Sequence, residues 1–194
     1  MSGFDYRPID GLWILARTKN HYYGGYPEGF YWRARVLLPG ELIHLCSGKV
    51  ARDFTVDIDP KAEPNLVADA RSTGLESESF DAVLMDPPYS LEDAQNYNHK
   101  EYPEPKDLMR EAYRLVRPGG RIGLLHYIVP RKPAKDARLL ALVGVVVGFG
   151  NRIRAFTVFE KPDPNKNQNG TKAILDVPDL MTFDVSQNRE ESEK

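Results

Sequence analysis

Four consecutive residues, Asp86-Pro87-Pro88-Tyr89, have side chains suited to activating an amino group on an aromatic ring. The lone pair of such a nitrogen is delocalised into the ring, so acceptors must hold both hydrogens before it can react as a nucleophile. Asp86 supplies one acceptor and a proline carbonyl a second, and the rigid prolines fix both in advance. Tyr89 offers a flat ring on which a base can stack. The alternative is a Pro-Pro turn that closes a buried strand, with Tyr89 in the core.

Polar or acidic residues also end the three apolar segments that precede this one. The four segments are typical of strands and cover residues 41–46, 54–58, 65–68 and 79–85. The residues at their ends are Cys46-Ser47-Gly48, Asp57, Asp69-Ala70 and Asp86. In a parallel sheet such residues meet at the ligand-binding edge, where carboxylates accept hydrogen bonds from a ribose diol or an adenine amine. The set predicts a nucleoside-containing ligand, although an Asp after a strand is on its own typical of a turn or helix cap.

The rest of the chain alternates helical and strand-like segments. Helical patterns cover residues 27–38, 107–116 and 133–142. Further strand patterns cover 121–127, after a stop at Pro118-Gly119-Gly120, and then 143–148 and 153–160, which form a predicted antiparallel hairpin. We therefore predict an α/β fold, with a mostly parallel sheet and helices on both faces.

We predict one catalytic domain over residues 1–162, in which residues 1–26 form an N-terminal extension without clean periodicity. Residues 163–194 have the composition of a linker followed by a partly disordered acidic tail.

On these residues, the sequence resembles the class I S-adenosylmethionine-dependent methyltransferases, and among them the amino-methyltransferases that carry a D/N/S-P-P-Y/F signature. Asp86-Pro87-Pro88-Tyr89 matches the adenine-N6 form of that signature letter for letter. The resemblance covers roughly residues 20–162, including the connection at 115–121. It implies a Rossmann-like sheet, S-adenosylmethionine as cofactor, and methylation of an exocyclic amino group of a nucleic-acid base, with adenine N6 in DNA as the first candidate.

The resemblance also implies how the cofactor is held. Three segments fall where the family binds the methionine, ribose and adenine parts of the cofactor, and a fourth corresponds to an aromatic-glycine motif of DNA-modifying members. In that order they are Cys46-Ser47-Gly48, Asp57, Asp69-Ala70 and Tyr23-Gly24-Gly25-Tyr26.

The sequence departs from the family between its first two strands. The glycine-rich loop holds a single glycine, Gly48, and only residues 49–54 remain before the next strand. A parallel crossover normally takes a dozen or more residues and includes a helix. We therefore predict that the first crossover helix is missing. This departure leaves a second hypothesis open, in which the chain is a non-catalytic methyltransferase-like subunit.

The polar residues 90–106 are predicted to be a loop that covers the substrate, and the alternative is a solvated loop. Its candidate contact residues are Asn96, Tyr97, Asn98, His99 and Tyr102. The chain has little room for a target-recognition domain. We expect nucleic acid as partner, DNA before RNA, and a second copy or another subunit that supplies recognition. A single strand avoids the cost of flipping a base from a duplex. An RNA base and a protein side-chain amide are the alternative acceptors.

Composition excludes several classes of protein. One cysteine and four dispersed histidines permit no intrachain disulfide and no metal-ligand spacing, and Cys46 is expected to be a small buried residue. No apolar run reaches the roughly 18 residues of a membrane span, and no secretory signal is present, so we expect a cytoplasmic protein. The net charge of -2 disfavours nucleic-acid binding. Residues 110–138, however, carry eight basic residues against two acids, as either a binding stretch or a solvated face.

Overall fold

The computed structural model describes residues 9–17, 25–96, 101–148 and 150–165, which form one eight-stranded sheet with three α-helices. The strands are β1 (Ile9–Ile14), β2 (Leu42–Leu45), β3 (Phe54–Asp57), β4 (Leu66–Val67), β5 (Phe80–Met85), β6 (Val116–His126), β7 (Arg138–Val146) and β8 (Arg154–Glu160). The helices are α1 (Phe30–Leu37), α2 (Leu91–Asn96) and α3 (Pro105–Leu115), and a 3₁₀ turn spans Pro60–Ala62.

The strands lie in the order β1-β7-β8-β6-β5-β2-β3-β4. Every neighbouring pair is parallel except the two pairs of β8, which is antiparallel to both β6 and β7. The predicted Rossmann-like α/β sheet with a C-terminal antiparallel hairpin is confirmed. The parallel strands all end at one edge of the sheet, here the carboxyl edge, and start at the opposite amino edge. Because β8 runs the other way, it begins at the carboxyl edge.

Helices cover both faces of the sheet, as predicted, because alternate residues of the central strands point to opposite sides. Leu84 of β5 belongs to a core cluster that includes Phe30 of α1, and both are fully buried. The neighbouring Met85 belongs to a second cluster with Leu108 of α3. A strand that is buried on both faces reads as a continuous apolar run, which is the pattern of β5.

No helix joins β2 to β3, so the predicted absence of the first crossover helix is confirmed. Residues 46–53 instead form a loop that stays close to the strand ends. The Ser47 backbone N–H donates to the Val56 carbonyl at 3.1 Å, and the Gly48 N–H donates to Asp57 Oδ2 at 2.8 Å. Gly48 has a φ of 52°, a left-handed conformation that suits glycine.

The N-terminal region contains a strand that the sequence does not predict. β1 is the outermost strand beside β7, with which it pairs in parallel, and Trp13 is its only buried residue. Its short pattern is interrupted by Gly11, so the apolar alternation is too brief to identify from the residues alone.

The predicted helix at residues 133–142 is wrong, because residues 133–137 contain bends and a turn and β7 begins at Arg138. Arg138, Leu139, Leu140 and Ala141 are good helix formers, but they form β7 because β1 and β8 pair with it on either side. The predicted start of the next strand at residue 121 is also wrong. α3 ends at Leu115, before Pro118-Gly119-Gly120, but β6 starts at Val116 and runs through these three residues. Gly120 is required there, because a Cβ would lie 2.8 Å from the Asp81 carbonyl oxygen.

The predicted loop at residues 90–106 contains structure at both ends, because α2 covers Leu91–Asn96 and α3 begins at Pro105. α1 begins at Phe30, three residues later than predicted.

Residues 97–100 and 166–194 lie outside the described part of the chain. The predicted substrate contacts Tyr97, Asn98 and His99, and the predicted linker with its acidic tail, therefore stay predictions. Among the described helices, none is long and apolar enough to cross a membrane.

Candidate functional site

The Asp86–Tyr89 turn leaves the carboxyl end of β5, between the ends of β2 and β6. Pro87 is buried, while Asp86, Pro88 and Tyr89 are half-buried. The turn therefore sits at the middle of the carboxyl edge, with its polar groups partly accessible. This location is the usual ligand-binding position in an open α/β sheet.

Asp86 is held by a chain of two hydrogen bonds. The Tyr89 hydroxyl donates to Asp86 Oδ1 at 2.5 Å, and Arg154 Nη1 donates to the Tyr89 oxygen at 3.1 Å. Burial raises the pKa of Asp86 to about 6, even though the Arg154 charge and the Tyr89 hydroxyl act to lower it. Burial and the negative charge of Asp86 raise the pKa of Tyr89, so Tyr89 stays protonated as the donor.

The first turn of α2 fixes the backbone of the turn. The Tyr89 N–H donates to Asp93 Oδ2 at 3.2 Å, and the Asp93 N–H donates to Ser90 Oγ at 3.0 Å. This reciprocal arrangement resembles a capping box, in which side chains satisfy the free N–H groups at a helix start. The turn is therefore anchored from both sides, by α2 and by the buried strand β5.

A neutral histidine and a tyrosine border Tyr89, and a second tyrosine contacts that histidine. The Ile128 N–H donates to His126 Nδ1 at 3.1 Å, so Nε2 carries the proton of the neutral ring and donates to the Tyr102 hydroxyl at 3.1 Å. Burial lowers the pKa of His126 to about 4. The Tyr89 ring centroid lies 5.2 Å from that of His126 and 4.4 Å from that of Tyr127.

The predicted methionine-binding residues lie directly after β2. Ser47 is buried, whereas Cys46 and Gly48 are half-buried, and Cys46 packs against the core cluster of α3. Burial raises the pKa of the Cys46 thiol, and the negative charges of Asp57, Asp86 and Asp69 raise it further. The three carboxylates therefore lie around Cys46, which places the predicted strand-end residues in one region.

Asp57 has acceptor capacity that suits a ribose diol. Its Oδ2 accepts the Gly48 N–H at 2.8 Å and its Oδ1 accepts the Asp59 N–H at 2.9 Å. An ionised carboxylate accepts about four hydrogen bonds, and no other described residue donates to this one. The residues present therefore fit the ribose of the implied cofactor, with the Gly48 loop fixed beside it.

Asp69 differs from Asp57, because both of its carboxylate oxygens already accept hydrogen bonds from the Arg71 side chain. Arg71 Nη2 lies 2.6 Å from Asp69 Oδ2 and Arg71 Nε lies 3.0 Å from Asp69 Oδ1, and this bidentate pair lowers the pKa of the carboxyl. Ala70 is buried beside it. A cofactor adenine must share Asp69 with Arg71, so the predicted contact at this position stays a prediction.

The predicted aromatic-glycine motif is described only from Gly25 onward, because Tyr23 lies outside the described residues. Gly25 is half-buried and precedes Tyr26, whose hydroxyl lies 3.2 Å from His44 Nδ1. Burial raises the pKa of Tyr26, and the nearby charge of Asp86 is the next contribution. The end of this motif therefore lies near the Asp86–Tyr89 turn.

The strand-end pattern missed Arg154, His126 and Tyr127. His126 and Tyr127 lie at the end of β6, so applying the same pattern to the fifth predicted strand would have found them. Arg154 begins the antiparallel strand β8, and a search for residues that follow strands does not include such a position.

Comparison with known proteins gives a family match within the chain. Residues 45–124 match the model of a methyltransferase domain. No curated protein matches the sequence. The structure is similar to TrmN from Thermus thermophilus, with 19% identity, a TM-score of 0.49, and coverage of 66% of this chain and 48% of TrmN. The chain thus spans about half the length of TrmN.

Two further solved structures are similar at lower identity. They are the N-methyltransferase NodS from Bradyrhizobium japonicum WM9 (13% identity, TM-score 0.48, covering 70% of this chain and 96% of NodS) and a possible histamine N-methyltransferase from Thermotoga maritima (15%, 0.43, 67% and 86%). These structural similarities do not identify a substrate for this chain. Residues 45–124 thus match a methyltransferase domain, and the strand order is that of a Rossmann-like sheet.

Proposed function

We propose that this methyltransferase modifies an exocyclic amino group of a nucleic-acid base, with adenine N6 in DNA as the first candidate. The observation that carries the proposal is the Asp86-Pro87-Pro88-Tyr89 turn at the centre of the carboxyl edge, with a half-buried carboxylate. Only Oδ1 of Asp86 is engaged by a described residue, so Oδ2 remains as an acceptor.

Two acceptors of the turn suit the two hydrogens of a planar amine. Asp86 Oδ2 accepts one of them, and a carbonyl of the rigid Pro87-Pro88 segment accepts the other. Within the described residues, neither proline carbonyl receives a hydrogen bond. Because the prolines and α2 hold the turn in place, these acceptors need little rearrangement as charge develops on the nitrogen. Positioning of the two reactants supplies much of the remaining rate.

Asp86 also suits the removal of a proton. When bound, S-adenosylmethionine would supply an electrophilic methyl carbon, and the electron pair of the broken carbon–sulfur bond would stay on sulfur in the departing S-adenosylhomocysteine. As the nitrogen lone pair forms its new bond to carbon, the nitrogen becomes cationic and must release one hydrogen as a proton. A carboxylate with a pKa of about 6 is a better acceptor for that proton than an ordinary aspartate, yet it is still mostly ionised at pH 7. The proton then passes from Asp86 to water.

The predicted cofactor residues have separate roles in this proposal. Asp57 binds the ribose diol, while the loop of Cys46, Ser47 and Gly48 lies along the methionine part. Binding therefore depends on the ends of β2 and β3, and transfer on the end of β5. This division can be measured, because cofactor affinity and transfer rate are separate quantities.

A methyl-transfer assay on the full chain tests the proposal. Tritiated S-adenosylmethionine is supplied with single-stranded DNA, duplex DNA, RNA or a protein pool, and labelled nucleic acid is digested and identified by nucleoside mass spectrometry. We expect label in DNA, recovered as N6-methyldeoxyadenosine, and none with Asp86→Ala. Label that appears only in protein or only in RNA contradicts the DNA proposal.

A further inference from the structure

The loop that joins β6 to β7 exposes apolar and basic side chains together. In this segment, residues 127–137, Tyr127, Ile128 and Val129 are exposed by 38%, 51% and 52%. Arg131, Lys132 and Lys135 follow them and are exposed as well. A soluble protein gains nothing from a consecutive apolar run on its surface, so such a run beside cations indicates an interaction surface.

The structure divides the basic stretch of residues 110–138 into two parts. Arg114 pairs with Glu111, Arg117 with Asp81 and Glu41, and Arg138 with Glu160. Arg110 pairs with Asp107, and Arg121 donates to the Leu37 carbonyl. In contrast, none of the three basic residues of the loop forms an ion pair within the described part of the chain. The unneutralised charge of the stretch is therefore concentrated in the loop.

This loop adjoins the catalytic turn. Tyr127, its first residue, has its ring centroid 4.4 Å from that of Tyr89, and the Tyr89 hydroxyl contacts Asp86. On the other side, the guanidinium carbon of Arg152 lies 5.3 Å from the Tyr127 ring centroid. Aromatic rings, exposed aliphatic groups and cations thus continue from Asp86 onto the surface. Such a combination suits a polymer with alternating flat bases and phosphates.

We propose that the β6–β7 loop binds single-stranded DNA, with phosphates on its cations and bases against Tyr127, Ile128 and Val129. This inference rests on the proposed function and names the element that presents the substrate. A single strand fits because its bases are already exposed, whereas a duplex base costs a few kcal/mol to flip. Deoxyribose fits because aliphatic side chains offer no partner to a 2′-hydroxyl and would desolvate it.

Two triple variants with the same loss of charge test the loop. Arg131→Gln/Lys132→Gln/Lys135→Gln removes its cations. Lys61→Gln/Lys106→Gln/Arg110→Gln removes one exposed arginine and two exposed lysines from the 3₁₀ turn and α3. Binding of a fluorescent single-stranded DNA oligonucleotide is measured by anisotropy from 50 to 300 mM salt. Thermal unfolding checks that each variant folds as the wild type does.

We expect the loop triple to weaken binding about tenfold or more at low salt and to lower the slope of log affinity against log salt by about 2. The control triple changes affinity less than about twofold. A further variant, Ile128→Ser/Val129→Ser, weakens binding without changing the salt slope, because it removes contacts to bases rather than to phosphates. Equal losses in the two triples, or no loss in either, overturn the inference.

The transfer assay separates failure of this inference from failure of the proposed function. If the wild type labels DNA and the loop triple has an unchanged KM for DNA, the loop is not the binding element, although the function stands. If the wild type labels no DNA, the proposed function itself is wrong. An RNA oligonucleotide of the same sequence is expected to bind more weakly, and equal or tighter RNA binding contradicts the assignment to DNA.

Discussion

The centre of the carboxyl edge, around Asp86, and the amino edge, around Asp81, shift the pKa values of their acidic groups in opposite directions. At the carboxyl edge, burial raises the pKa of Asp86 to about 6 and lowers that of His126 to about 4, so the surroundings oppose the charged form of both. At the amino edge, the Glu41 N–H and Arg117 lower the pKa of Asp81. Groups whose pKa values are shifted against their charged form are typical of functional sites. We therefore expect Asp86 and His126 to act in the reaction and Asp81 to stabilise the fold.

The amino edge joins segments that are distant in the chain. Glu111, which is buried, accepts bonds from the Thr73 N–H at 2.9 Å, the Thr73 hydroxyl at 2.7 Å and Arg114 at 2.6 Å. Lys161 pairs with Glu78 at 2.9 Å. Changes at this edge should therefore affect stability and leave the chemistry intact, while changes at the carboxyl edge should do the reverse.

The largest expected effect is the loss of activity in Asp86→Ala. The methyl group offers neither an acceptor for the amine hydrogens nor a base for the proton, so we expect the transfer rate to fall by about three orders of magnitude. Affinity for S-adenosylmethionine, measured by calorimetric titration, should stay nearly unchanged. A comparable loss of both quantities contradicts the separate roles.

The stability of Asp86→Asn should also depend on pH. Above about pH 6, the wild type holds a charged carboxylate that its surroundings disfavour, so the variant should be at least as stable as the wild type. Below about pH 4 the carboxyl is protonated in both the folded and unfolded chain, and that difference should vanish. Asp81→Asn at the other end of β5 is the matched control, with a lower thermal midpoint and an unchanged transfer rate.

Glu111→Ala should be the most destabilising single change of the amino edge. It leaves Arg114 without its acid and the Thr73 N–H without an acceptor, which should cost about 3 kcal/mol of unfolding free energy in urea titrations. Burial alone raises the pKa of Glu111, but the bonds from Arg114 and Thr73 outweigh it and lower the value. The contribution of Glu111 is therefore present above its unfolded pKa of 4.5 and is lost as the pH falls below it.

The transfer rate of folded Glu111→Ala at 25 °C should match that of the wild type. A rate that falls together with stability would show that the two edges are coupled rather than separate.

The sequence predicts the central strands of the sheet better than the outer strands β1 and β7. β5 can be identified because burial on both faces leaves a continuous apolar run, and the short gap before Phe54 shows directly that no helix fits. β1 and the first part of β7, before Val143, could not be identified in the same way. Their strand structure depends on pairing with each other and with β8, while the first residues of β7 favour a helix when considered alone.

The same limit applies to the candidate site. Asp57 and Asp86 follow predicted strands, so a local pattern finds them. Arg154 is 65 residues from the Tyr89 hydroxyl that it contacts, and only the reversal of β8 brings them together. The ion pair of Asp69 with Arg71 was also missed, although the two are close in sequence, because the pattern considers acids without their neighbouring bases.

Asp57→Ala should weaken cofactor binding and have little effect on the chemical step. The Gly48 and Asp59 N–H groups lose their shared acceptor, and the proposed ribose contact is lost with it. We expect the dissociation constant for S-adenosylmethionine to rise about tenfold, roughly the value of one charge-assisted hydrogen bond. The transfer rate at saturating cofactor should change much less. A large fall in that rate with unchanged affinity would reverse the roles of Asp57 and Asp86.

The smallest expected effect concerns Arg154, which acts on Asp86 through Tyr89 and by its charge. Arg154→Met removes the cation that lowers the pKa of Asp86, so the acidic limb of the transfer-rate profile should move to higher pH. The rate should fall more at pH 6 than at pH 8, and Arg154→Lys should restore the midpoint.

Arg152→Met is the matched control for Arg154, because Arg152 contacts Tyr127 rather than Tyr89. It should raise the KM for DNA and leave the midpoint of the transfer-rate profile unchanged. A purely structural role for Arg154 predicts an equal loss of rate at every pH. A shifted midpoint that only the lysine restores instead identifies Arg154 as the positioning residue that keeps the central carboxylate ionised.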